Sequence, residues 1–131
     1  MTLGPSSYLV GKWLDAVFNA LSFSVAQAYI QLHIADPGAA GATSPATETT
    51  RKAVSFGSPS TGGGVTSILN DAQVQYTGIA GSQDASHYSL WDAAAAGNFL
   101  GSGIITANAY TAGDTLTFAI GAISIGLNVA A

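Results

Sequence analysis

The sequence predicts a mainly β fold: an antiparallel β-sandwich of jelly-roll-like build, with one short amphipathic helix at its N-terminal end. Three observations carry that expectation. Residues 27–34 alternate, with Ala28, Ile30, Leu32 and Ile34 on one side and Gln27, Tyr29, Gln31 and His33 on the other. That is the period-2 signature of a strand with one face in a core. In the second half, apolar runs and turn residues recur about every ten positions, the spacing of sandwiches and barrels. A helical apolar stripe occurs only ahead of the first strand. With no helices between strands, a parallel βαβ architecture is excluded.

Taken in order, Gly4-Pro5-Ser6-Ser7 opens the helix, since Pro suits a first turn and Ser can cap the free N–H groups. Leu9, Val10, Trp13, Leu14, Val17, Phe18 and Leu21 form one broad apolar stripe, with Lys12, Asp15 and Asn19 off it. The helix, assigned to residues 4–21, is too short to stand alone in water. Trp13, Leu14, Val17 and Phe18 are therefore its packing and assembly residues. They are expected to cover an end or edge of the chain's own sheet, because the short Ser22-Phe23-Ser24 link folds the helix straight back. The alternative is that Trp13 and Phe18 reach a neighbouring subunit. Residues 25–131 then supply the sandwich, and 1–131 reads as a single domain.

Asp36-Pro37-Gly38 stops the first strand, because Pro lacks an N–H and Gly readily takes positive φ. Residues 39–47 are small and uncharged, a surface loop. Arg51-Lys52 leads into a short strand at 53–56. Residues 57–64 are rich in Gly and Ser and read as a mobile loop. Strands follow at 65–69, at 72–77 and at 86–91, the last with Tyr88 and Leu90 on one face and His87, Ser89 and Trp91 on the other. Asp92-Ala93-Ala94-Ala95-Ala96-Gly97-Asn98 reads as a hairpin loop with Gly97 at positive φ. In the strand at 99–106, Gly101 and Gly103 mark a bulge or a close neighbour. Ala112-Gly113-Asp114 turns the chain into a strand at 115–120. The last strand alternates Ile123, Ile125, Leu127 and Val129 against Ser124, Gly126 and Asn128.

Composition bounds the function. The chain has 131 residues, of which 48% are hydrophobic and only 8% charged, with three basic and seven acidic side chains. Charged groups normally cover much of a small monomer's surface. So thin a supply implies that other subunits cover part of it, the mark of an assembly component. A net charge of −4, with no stripe formed by Lys12, Arg51 and Lys52, argues against nucleic acid as a partner. The absence of cysteine excludes disulfides, thiol catalysis and Cys-based zinc sites. Val25-Ala26-Gln27-Ala28 resembles a signal-peptidase site, but no charged region precedes it and Asp15 and Asn19 interrupt the apolar run. No run reaches the ~18 apolar residues of a membrane span. A soluble, uncleaved chain with no membrane partner is expected.

Little in the sequence points to chemistry. His33 and His87 are the only histidines, and neither stands at metal-ligand spacing from Asp36, Asp84 or Asp92. As polar-face strand residues they are expected at the surface or an interface. Ser89 lacks a Gly-x-Ser-x-Gly setting, and Gly62-Gly63-Gly64 lacks the Lys and hydroxyl partner of a phosphate cradle. Asp36, Asp92 and Asp114 sit within turns, where their side chains bond backbone. No catalytic residue, metal or cofactor is assigned, and no enzyme is expected. The aromatics leave two readings open. Tyr29, Tyr88 and Trp91 are candidate ligand or interface residues, able to stack host-surface sugars; alternatively, these rings and Tyr76 and Tyr110 pack the core and subunit interfaces.

The order of several short motifs carries a resemblance. Tyr29-Ile30-Gln31-Leu32-His33, Asp36-Pro37-Gly38-Ala39-Ala40-Gly41 and Glu48-Thr49-Thr50-Arg51-Lys52-Ala53-Val54-Ser55-Phe56 follow one another. His87-Tyr88-Ser89-Leu90-Trp91-Asp92, Gly97-Asn98-Phe99-Leu100 and Ala112-Gly113-Asp114-Thr115-Leu116 come later. Over residues 8–127 this order resembles a family of small virion proteins of tailed bacteriophages, described as tail-fibre or minor tail proteins. The resemblance implies a virion structural protein, assembled in the host cytoplasm. Its implied partners are other copies of itself, as a trimer by analogy with phage fibres, and other virion proteins. A capsid decoration protein is the alternative, since small uncharged β-domains suit a symmetric shell equally well. A host cell-wall glycan-binding module is the second alternative.

Overall fold

The alternation at residues 27–34 builds a strand, β2 (Ala28–His33), inside the largest sheet of the protein. The computed structural model describes residues 3–130. Around β2 the chain forms β1 (Gly4–Pro5), α1 (Ser7–Phe18), β3 (Lys52–Val54), β4 (Ser60–Gly62), β5 (Val65–Leu69) and β6 (Val74–Tyr76). Then come β7 (Gln83–Trp91), β8 (Phe99–Tyr110), β9 (Leu116–Phe118) and β10 (Ser124–Asn128). The large sheet has the order β1-β8-β7-β2-β3, beside a three-stranded sheet β10-β5-β4 and a two-stranded sheet β6-β9. Every pairing is antiparallel. The fold is mainly β with one short N-terminal helix, as predicted.

The core lies between one face of the large sheet and the two smaller sheets. Ile30 pairs with Leu90 and Leu32 with Tyr88, placing four fully buried side chains on that face. From the opposite layer, the Tyr76 hydroxyl donates to the Ile30 carbonyl at 3.0 Å, and Tyr76 meets Phe118 edge-on at 6.3 Å. The Tyr88 hydroxyl bonds the Ser124 carbonyl and accepts from the Ser124 N–H at 3.0 Å, tying β7 to β10. This close approach explains the strand glycines. A Cβ on Gly101 would lie 2.6 Å from Ile125 Cδ1 and 2.7 Å from the Gly4 carbonyl, and one on Gly103 would strike the Tyr88 hydroxyl. Register shifts in the β7–β8 pair also interrupt the ladder.

Several local expectations need correcting. Gly4–Pro5 is not the first turn of the helix: it pairs with Ser102 and Gly101 as a short edge strand, and the helix spans Ser7–Phe18. Pro is tolerated there because an edge position needs no ladder donor from it. The stretch 57–64 is half strand. Gly63 and Gly64, at φ 58° and 76°, make a two-residue turn between β4 and β5 whose twist matches the hairpin. β7 and β8 run beyond the predicted 86–91 and 99–106, because their mutual pairing continues from Ala85 to Gln83 opposite Asn108 to Tyr110. The second layer is two sheets where one was expected. Asn70 stands at that division, fully buried, donating to the Ala72 and Ala119 carbonyls and accepting from the Ile123 N–H.

Candidate functional site

The helix begins firmly anchored and ends uncovered. Ser6 caps it, accepting from the Leu9 N–H at 3.1 Å, while its hydroxyl donates to the Phe99 carbonyl at 2.6 Å. The Ser6 N–H donates to the Leu100 carbonyl at 2.8 Å, so the first turn is fixed to β8. Leu9 is buried and Trp13 half-buried, but Leu14 is 54%, Val17 73% and Phe18 77% exposed, followed by Leu21 at 56%. The expectation that Trp13, Leu14, Val17 and Phe18 together cover the sheet is therefore corrected. An apolar arc of this breadth exceeds what one helix-to-sheet contact buries. At 3.6 residues per turn, Leu14 and Phe18 point roughly 100–180° around the helix from Leu9 and Trp13. Asn19 closes the helix, its N–H on the Asp15 carbonyl at 2.9 Å and its side-chain amide on Asp15 Oδ1 at 2.8 Å.

The chain then reverses through Ala20, at φ 56°, and returns along residues 21–27. Between α1, this return segment and the open end of the two layers lies a cleft of about 500 Å³. Trp13, Phe23, Val25, Phe56, Ile68 and Ile125 supply its walls, and no charged side chain lines it. Phe23 is held edge-on against Tyr8 at 6.1 Å.

The opposite face of the large sheet carries the polar residues. His33 is fully buried, contrary to the surface position expected of it, because the loop after β2 folds back over it. Its Nδ1 lies 2.8 Å from the Thr43 carbonyl, which can only accept, so Nδ1 carries the proton. Nε2 then accepts from the Ser89 hydroxyl at 2.8 Å, and Ser89 in turn accepts from Trp91 Nε1 at 2.8 Å. Burial lowers the His33 pKa, and the His87 and Arg51 charges add to that, against the ring's hydrogen bonding to the backbone of Thr43 and Ser44. A serine hydroxyl on a neutral imidazole has the outline of a nucleophile and its base. Ser89 and His33 are both wholly enclosed, though, and neither lines the apolar cleft beside α1. Among the described residues no group of three or more His, Cys, Asp or Glu side chains gathers as a metal site would require.

Sequence reasoning missed Arg51. Its guanidinium lies 3.9 Å from the Trp91 ring centroid, donates from Nε to Gln31 at 3.0 Å, and donates from Nη1 to the Ala93 and Ala96 carbonyls at 3.0 and 2.6 Å. It thereby clamps the 92–98 loop. Its signal was its rarity, as one of three basic residues in the chain. The turn carboxylates behave as expected: Asp36 accepts from the Gly38 N–H, Asp92 from the Asn98 N–H and Asp114 from the Thr111 N–H. The aromatic trio does not gather. Tyr88 is in the core, Trp91 is half-buried under Arg51 with Phe99 at 5.6 Å, and Tyr29 is half-buried on β2 opposite Trp91.

The antiparallel β body thus presents an apolar, uncharged cleft beside α1. Its buried hydroxyl–imidazole pair, Ser89–His33, is enclosed, and a second pair, Ser86 Oγ and His87 Nδ1 at 2.8 Å, is half-buried midway along β7. The family model described as Podophage GP4 fiber I protein gp80 matches residues 4–126, nearly the whole chain. The chain belongs to that family, and is a phage tail-fibre-like protein. None of the curated proteins compared gives a match. Among the described residues, no helix is long and apolar enough to cross a membrane.

Proposed function

We propose that this chain is a tail-fibre or minor tail component of the virion that works as an obligate homo-oligomer, a trimer by analogy with phage fibres, and contacts other virion proteins. Assembly in the host cytoplasm and a non-enzymatic role follow from the same reading. The observation that carries it is the uncovered apolar end of α1 beside an uncharged cleft, on a chain with only 8% charged residues. Exposed apolar patches of this kind mark interaction sites on soluble proteins. The purified chain is expected to sediment as a defined oligomer; a stable monomer across a wide dilution series would count against the reading. Counting copies in the virion separates tail from head: a few copies fit a fibre, whereas a number matching the capsid lattice fits the decoration alternative.

A second reading, host-glycan binding, has one specific observation in its favour. Tyr8, Trp91 and Phe99 line a shallow depression of about 310 Å³, with Ser7 and Asn98 at the same place. Aromatic faces beside amide and hydroxyl groups are the chemistry that sugars use. Binding of the oligomer to a glycan array or to host cell walls supports it, and silence in both removes it.

A further inference from the structure

We propose that the cleft beside α1 is the socket for a second copy of this chain, filled by the Phe18 end of that copy's helix. The inference rests on the oligomeric reading above and names the surfaces that make the oligomer. Both halves of the contact are present on one chain. The socket has apolar walls from Trp13, Phe23, Phe56 and Ile68, and at about 500 Å³ it falls within the ~300–1,000 Å³ range of pockets that enclose several side chains' worth of ligand. The plug is Leu14, Val17, Phe18 and Leu21, each more than half exposed.

Charge and area both favour a second copy as the occupant. No charged side chain lines the socket, and the charged residue among the plug positions, Asp15, is bonded to Asn19 of its own helix. An uncharged socket therefore meets a plug with one carboxylate, without the like-charge repulsion that a net charge of −4 on each copy imposes elsewhere. A monomeric protein of 13.1 kDa exposes about 6,400 Å² on the usual scaling, and this one exposes 6902 Å². The surplus of roughly 500 Å² is more than half of the ~800 Å² that each partner buries in a standard interface. Because plug and socket are different surfaces of one chain, each copy can give its plug to one neighbour and its socket to another, a head-to-tail contact that three copies can close into a ring.

The test uses the full-length protein. Phe18→Ser removes the plug at an exposed position, and Ala26→Trp fills the socket from its exposed rim. Each is expected to leave the unfolding midpoint of dilute protein unchanged. Each should also weaken self-association about thirtyfold, the loss of an anchor worth ~2 kcal/mol at 1.4 kcal/mol per decade. A photo-crosslinking residue at position 18, in a mixture of light and heavy copies, should join residues 23–28 or 54–56 of a different copy. Crosslinks confined to one chain, or to any other surface of a neighbour, overturn the proposal. An oligomer that forms normally in both variants overturns it while leaving the oligomeric reading intact. A monomeric wild type overturns both.

Discussion

At the scale of single residues, His33 governs the response to acid. Its folded pKa is held below the ordinary 6.5, chiefly by burial, so the unfolded chain binds the proton more readily. Stability is then full above about pH 6.5 and falls as the pH is lowered through that value. Protonating Nε2 turns an acceptor into a donor facing Ser89, whose oxygen already receives Trp91 Nε1–H. Ser89 Oγ has two lone pairs and can accept from both rings, but its own O–H must then turn away from Nε2 and lose that acceptor. Two carboxylates act in a lower window. Burial works to raise the Glu48 pKa, but its bonds from Thr50 and Ala80, with the Lys52 charge, hold it below 4.5; Asp92 is likewise held down, by Asn98 and Arg51, against burial. Their contribution is lost only as pH falls below the ordinary carboxylate value. His33→Gln is expected to cost ~1–3 kcal/mol at neutral pH, the scale of a disrupted buried hydrogen bond. It should also flatten the decline that begins near 6.5. Urea unfolding across pH checks this; parallel curves for wild type and variant would refute the assignment to His33.

At the scale of elements, one cation organises the turn between the two longest strands. The 92–98 loop has two positive-φ residues, Ala96 and Gly97, and a Cβ on Gly97 would lie 2.5 Å from Asp92 Oδ1. Arg51 reaches across from the start of β3 to hold that loop's carbonyls, with its guanidinium over the Trp91 ring. Lysine has neither the planar fork nor the stacking face to do this, so Arg51→Lys is not a conservative change. The variant is expected to fold, with faster amide exchange at residues 93–98 and altered Trp91 fluorescence. Unchanged exchange there would mean that the Asp92–Asn98 bonds hold the loop by themselves. The same scale explains α1: its first turn is fixed by Ser6 to β8, while Asp15 in its last turn is bonded by Asn19 and Leu21 just beyond the helix.

At the scale of the whole molecule, the two sides of the helix should separate stability from association. Truncating a fully buried aromatic to Ala costs ~3–5 kcal/mol, and Trp13, half-buried at the cleft wall, should cost less, about 1–3 kcal/mol. Against a total of ~5–15 kcal/mol that is plainly measurable. Trp13→Ala is therefore expected to lower the unfolding midpoint even in dilute protein, since it removes a contact within the chain. Thermal melts over a dilution series decide it. A midpoint unchanged in dilute solution but lowered in concentrated protein would place Trp13 in the intersubunit contact instead.

The sequence by itself determined what depends on near neighbours. The alternation of β2, the Asp-containing turns at 36, 92 and 114, the helix cap at Ser6 and the glycines of β8 all report local geometry or a single close approach. They were enough for a mainly β fold with one helix, and with the low charge content they pointed to an assembly component. Tertiary structure decided everything that needs a distant partner. Residues 34–45 fold over the polar face of β2, and so His33, which alternation puts outside, ends fully buried against Thr43 and Ser89. β7 and β8 lengthen because each supplies the other's hydrogen bonds. The helix shows one apolar arc in its sequence, yet only the edge carrying Leu9 and Trp13 faces the layers. Periodicity tells which residues share a face; how much of that face is covered is set by the width of the surface it meets.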